Sequence, residues 1–127
     1  MIRPKIYYAH CMALYGTDQE KNDLKTLREL GVKVVNPNSP KYRKTVERMK
    51  RNNRSGSQIM DYFISVVKKC NGVAFRALSD GSLSAGVAKE IDAMRKKGGV
   101  IIELPELDKR KALTIGQTCD HIQRSRR

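Results

Sequence analysis

The chain has 127 residues, enough for one domain with a real core, and 39% of them are hydrophobic. Its formal charge of +13, from 26 Lys and Arg against 13 Asp and Glu, is the compositional outlier and favours phosphate-bearing partners. No apolar run approaches the roughly 18 residues of a membrane span, and the short apolar segment from Ile6 to Leu14, which holds His10, does not resemble a secretory leader. Cys11, Cys70 and Cys119 lack a CxxC spacing, so free thiols in a reducing, cytoplasmic setting are expected, with no metal site.

Residues 4–9, "PKIYYA", predict a first strand buried on both faces. Thr17 is a helix N-cap, and Glu20 three residues later completes the pattern of a capping box. Leu24, Leu27 and Leu30 follow at helical spacing, and Gly31 ends that helix. Residues 32–37, "VKVVNP", predict the second strand. Residues 38–55 are polar, basic and punctuated by Pro40, so a long mobile loop is expected, with at most a helical turn around Tyr42–Met49. Ser55 or Ser57 then caps a helix reaching about Lys69, with Ile59, Phe63, Val66 and Val67 facing the core. The third strand is "GVAFRA" (72–77), followed by a loop and a helix ending near Lys97, where Gly98 and Gly99 break it. "VIIEL" (100–104) predicts the fourth strand, and the remainder a short strand near Ala112–Ile115 and a terminal helix with a basic tail.

Alternating strands and helices indicate a single α/β domain over 1–127. The expected architecture is a three-layer sandwich, flavodoxin- or Rossmann-like, whose parallel sheet of four to five strands carries helices on both faces. Ligands of such folds bind beyond the carboxyl ends of the strands, where His10, Asn36, Asn38, Arg76 and the loop Ser79–Ser84 are collected.

The loop "SDGSLSAG" before the last of these helices offers hydroxyls at Ser82 and Ser84 and close backbone approach at Gly81 and Gly86. A helix N-terminus at this position attracts phosphate or sugar oxygens. No Lys-Ser or Lys-Thr pair follows, so it is not a Walker loop, and it is not a GxGxxG fingerprint. Glu90 lies at the border of the apolar stripe Val87, Ile91 and Met94, with Gly86 one turn before it and no cation at helical spacing. Spacing alone leaves two readings open, a solvated helix glutamate and a carboxylate facing a ligand.

The runs "KIYYAHCMALYGT" and "GVKVVNP", followed by "CNGVAF" and "GSLSAGVAKEIDAMRKKGGVIIEL", resemble the nucleoside 2-deoxyribosyltransferase-like superfamily, particularly its small phage and bacterial members. That superfamily also holds nucleotide N-glycoside hydrolases. The likeness covers most of the chain and is carried by 5–37 and 70–104. It implies that Glu90 is the nucleophile, that Ser84 touches sugar hydroxyls or a phosphate, and that Tyr7 lies beside the nucleophile. It implies Asp61 as a second acid engaging the base or leaving group. The transferases often carry aspartate at the Ser84 position and the monophosphate hydrolases serine, which leans towards a nucleotide. His10 stands where many members have glycine and would point at the ligand; Asn71 stands where a structural aspartate is common.

The reaction so implied is cleavage of an N-glycosidic bond, by hydrolysis or transfer, in a nucleoside or nucleoside monophosphate, without a cofactor. Oligomers that complete the pocket from a neighbouring chain are usual among the members, so a homodimer or larger is expected. The stretch Lys41–Ser55 holds seven Lys and Arg against one acid, and Lys41, Arg43, Lys44 or Arg48 is expected to clamp a phosphate, Arg43 and Lys44 first among them. Three alternatives stand beside this reading: a non-catalytic nucleotide-binding module, an NAD glycohydrolase-like enzyme, and electrostatic attraction of nucleic acid through the basic stretch and tail. No helix-turn-helix, RNA-recognition or zinc-finger pattern accompanies the last of these.

Overall fold

A computed structural model describes residues 3–104. The predicted strand near Ala112–Ile115, the terminal helix and the basic tail lie outside the described residues. Four strands, β1 (Lys5–Ala9), β2 (Lys33–Val35), β3 (Gly72–Phe75) and β4 (Val100–Glu103), form one sheet in the order β2-β1-β3-β4, with every pairing parallel. Four helices connect them: α1 (Asp18–Glu29), α2 (Pro40–Arg51), α3 (Gly56–Lys68) and α4 (Ala85–Lys97). This is the expected α/β, flavodoxin-like arrangement. Among the described residues no helix is long and apolar enough to cross a membrane.

Successive side chains of β1 point to opposite faces. Tyr7 and Ala9 enter a core with Val67, Val73, Val87, Ile91 and Met94, beneath α3 and α4. Ile6 and Tyr8 enter the other core with Leu27, Ala74 and Leu104, beneath α1. The strand is therefore buried on both sides and reads as a continuous apolar run. Its first residue is anchored by Asn71, whose side-chain oxygen accepts from the Lys5 backbone N–H at 2.8 Å. Strand β3 is so closely flanked at Gly72 that an added Cβ would lie 2.8 Å from the Val100 carbonyl oxygen of β4 and 3.0 Å from Ile6 Cδ1 of β1.

The helix ends follow their side chains. Ser55 and Gln58 form a reciprocal capping box on α3, with bonds of 3.1 and 2.8 Å. Ser84 caps α4 by accepting from Val87 N–H, and Gly98 closes that helix in the left-handed region at φ 80°. Lys97, in the last turn of α4, donates to the carbonyls of Lys68 and Cys70, tying the ends of α3 and α4 together. Thr17 caps α1 as expected. The reciprocal half of that capping box does not form: the Glu20 carboxylate accepts from Gly16 N–H, at 3.2 Å, instead of from Thr17.

The expected mobile loop at 38–55 is corrected by α2, a helix of 12 residues. Its N-cap is Ser39 and Pro40 occupies the first turn, where a missing N–H loses nothing. No residue of α2 is fully buried and charged residues outnumber its apolar ones, but Lys, Arg, Glu and Met are good helix formers.

The chain leaves β1 for β2 on one side and returns to β3 on the other. Between the carboxyl ends of β1 and β3 the order reverses, which opens a crevice there.

Candidate functional site

The crevice is a cleft of about 660 Å3 whose walls include Tyr7, Cys11, Tyr15, Met60, Phe63, Ser84, Gly86 and Glu90. Strand β1 supplies Tyr7, the segment after it supplies Cys11 and Tyr15, and the first two turns of α4 supply Ser84, Gly86 and Glu90. Helix α2 closes the opposite side with Arg43, Val46, Glu47 and Lys50. The volume falls within the usual range for a small-molecule site. A Cβ added at Gly86 would lie 3.5 Å from Met60 Sδ, so the space beside Glu90 is bounded by the α3 methionine.

Three acids are buried in the described residues, Glu20, Asp23 and Glu90. The first two are fully matched. Asp23 accepts from Arg76 at 2.6 and 3.0 Å, from Tyr8 Oη at 2.5 Å and from Gln19 at 3.1 Å. Glu20 takes His10 Nε2 at 2.7 Å and Asn38 Nδ2 at 3.1 Å. Burial pushes the Glu20 carboxyl up, but bonds from His10, Gly16 and Asn38 together hold it below the ordinary carboxylate range.

Glu90 is different. It is only 6% exposed and makes no ion pair among the described residues. Burial raises its pKa from 4.5 to about 7, and a hydrogen bond from the Tyr7 hydroxyl limits the rise. Tyr7 is in turn driven far above the usual phenol range, by burial first and by Glu90 second, so it stays a donor. Tyr15 is pushed up to about 12 by burial, Glu90 and Glu20. The site thus holds one carboxyl poised near neutrality, a phenol beside it that stays protonated, and mostly apolar walls. A buried group so displaced, in a cleft and without a counter-ion among the described residues, is a candidate functional position.

Of the residues singled out in the sequence, the fold brings Tyr7, Ser84, Gly86, Glu90 and Arg43 to this cleft. His10 borders it, but its side chain is 0% exposed and turned away. It stacks on Tyr8 with ring centroids 3.7 Å apart, Nδ1 meets the Tyr8 carbonyl and Nε2 meets Glu20. The reason is strand alternation: His10 continues the Ile6–Tyr8 face, opposite Tyr7. The expectation that His10 points at a ligand is therefore corrected, and its side chain belongs to the buried polar network beneath α1.

Asp61 does not reach the cleft either. It is exposed and lines a separate groove between α2 and α3. Ser82 is exposed and bonded to Asp80, and Lys44 is exposed and outside the cleft wall. The second carboxylate of the cleft is Glu47, which sequence reasoning missed. Its signal was spacing: Arg43, Val46, Glu47 and Lys50 share one face of a helix, visible only once α2 is known to be one. Among the described residues no group of three His, Cys, Asp or Glu is placed to hold a metal ion.

Scanned against protein-family models the chain matches none, and a search of curated proteins also returns no match.

Proposed function

We propose that the protein cleaves the N-glycosidic bond of a nucleoside or nucleoside monophosphate, with Glu90 as the nucleophile. The observation that carries this reading is Glu90 itself, a buried carboxyl with no counter-ion among the described residues, beside Tyr7 and one and a half turns inside the α4 N-terminus. The resemblance in the sequence assigns the same residue.

In such a reaction the bond from the anomeric carbon to the base nitrogen breaks as positive charge develops on the sugar. An ionised Glu90 stabilises that charge and forms an ester with the anomeric carbon. The electron pair of the broken bond leaves with the base, which takes a proton from an acid or water. Water then opens the ester and regenerates the carboxylate, or a second base does so and the outcome is transfer. Tyr7 holds the Glu90 rotamer and steadies the carboxylate by donating to it. Ser84 and the α4 N-terminus offer donors to sugar or phosphate oxygens. Glu47 takes the place that the resemblance gave to Asp61, as the second acid facing the bound nucleotide. A homodimer or larger assembly, soluble in the cytoplasm, belongs to the same proposal.

The test is incubation with a panel of deoxynucleosides, ribonucleosides and their monophosphates, following free base by chromatography. Base release is expected from at least one class and is to drop by about 10²-fold or more in Glu90→Ala. Equal release by wild type and variant would remove Glu90 from the reaction.

A further inference from the structure

The charge of α2 exceeds what one phosphate group needs. Between Lys41 and Arg54 the chain carries seven Lys and Arg and a single acid, Glu47. Among the described residues none of these basic side chains is in an ion pair, although Lys41 lies over the Tyr42 ring. At about 100° per residue, Arg43 and Lys50 fall on the Glu90 side of the helix, Arg48 falls on the far side, and Lys44 and Arg51 form the exposed ridge between them.

The far side faces a second concavity, a groove of about 550 Å3 between α2 and α3. Its walls combine Arg48 and Arg54 with the amides of Asn52 and Gln58, the Tyr62 ring and Asp61. Cations for phosphates, a ring for stacking and amides for base edges are the components of a single-strand surface. No large hydrophobic residue of α2 or α3 is among the exposed ones, so a lipid surface lacks an apolar face to enter.

We propose that α2 is the centre of a binding surface for single-stranded nucleic acid, with one nucleotide seated against Tyr62 in the far groove and the backbone crossing the Lys44–Arg51 ridge towards the Glu90 cleft. That the strand there presents a nucleotide to Glu90 rests on the glycosidic reading; the surface itself does not. It adds a nucleotide within a polymer to the substrates of the cleft, and it accounts for basic residues on both sides of one helix.

The experiment is fluorescence anisotropy of the full chain with a labelled single-stranded oligonucleotide of about 12 nucleotides, long enough for such a site. Affinity is expected to fall linearly with the logarithm of salt, by about 0.7 in the log for each phosphate contacted. The paired substitution Arg48→Ala with Arg54→Ala is to weaken binding about tenfold or more. Tyr62→Ala is to weaken it by about fivefold or more, while Tyr62→Phe keeps the ring and the affinity. All these positions are solvent-facing or half-buried, and circular dichroism checks that each variant keeps its helices. Duplex DNA or heparin binding as tightly as the single strand overturns the proposal, as does binding by the Arg48/Arg54 and Tyr62→Ala variants within twofold of wild type. Binding is read without turnover. A protein that binds the strand but releases no base from any substrate refutes the glycosidic reading alone. One that releases base from mononucleotides yet ignores the strand refutes this proposal alone.

Discussion

Replacing Glu90 by Gln tests the central carboxyl without requiring a substrate. The substitution preserves size and an acceptor for the Tyr7 hydroxyl but removes the ionisable group. Glu90 has a pKa of about 7 in the fold against 4.5 for an ordinary glutamate, so the folded state holds a proton that the unfolded state has already lost. Its contribution to stability is complete below pH 4.5, declines as pH rises and is gone above about pH 7. At 1.4 kcal/mol per tenfold in proton affinity, the decline amounts to about 3 kcal/mol, a large share of the roughly 5–15 kcal/mol typical of a domain. Glu90→Gln does not titrate and escapes it. Urea unfolding of both proteins at pH 4.5 and pH 8.5 reads the effect. The gap between variant and wild type should move by about 3 kcal/mol in favour of the variant at the higher pH, since all other groups cancel in the difference. A gap that stays constant across pH would refute the assignment of an unpaired, proton-holding carboxyl.

The same titration predicts that base release rises with pH and levels off above about pH 7, because only ionised Glu90 can bond to the anomeric carbon; a flat profile from pH 5.5 to 8.5 would contradict it. Glu47→Gln should lower kcat/KM by about tenfold or more, whereas Asp61→Asn should leave mononucleotide turnover within about twofold of wild type, as steady-state kinetics would reveal. Asp23→Ala breaks the buried pair that Asp23 makes with the Arg76 guanidinium and should cost about 3–5 kcal/mol in urea unfolding. Gly86→Ala places a methyl in ordinary contact with Met60 and should stabilise the protein by about 0.5–1 kcal/mol, measured the same way.

The sheet was legible because its central strands alternate nothing: "KIYYA" and "GVAF" are apolar on both faces, as buried parallel strands must be. The caps at Thr17, Ser55 and Ser84 were legible because capping is local chemistry. Helix α2 was not, since it buries no residue fully and Pro40 was read as a breaker when, next to Ser39, it starts a helix. In the site, Glu90, Tyr7 and Ser84 are neighbours through β1 and α4, whose phases the sequence carries. His10 and Asp61 failed on phase. His10 is three residues from Tyr7 and so lies on the other face of the strand; Asp61 is two from Ile59 and so lies across α3 from the cleft. Glu20 and Asp23, by contrast, each take a partner from a distant segment, Asn38 and Arg76, which no local pattern announces.

Tyr7 and Tyr8 are chemically identical neighbours that reach two different acids, Glu90 above the sheet and Asp23 below it. A slip of β1 by one residue would carry one tyrosine into the other's place but put Ile6 or Ala9 in the place left behind, so one of the two acids would lose its phenol. The flanks add to this. Slipping would pull the Lys5 N–H off Asn71 and carry His10 to the opposite face, leaving Glu20 without its imidazole partner. The strand is thus indexed at its middle and at both ends, and Asn71 and Glu20, neither of which lines the cleft, help to fix which tyrosine serves it.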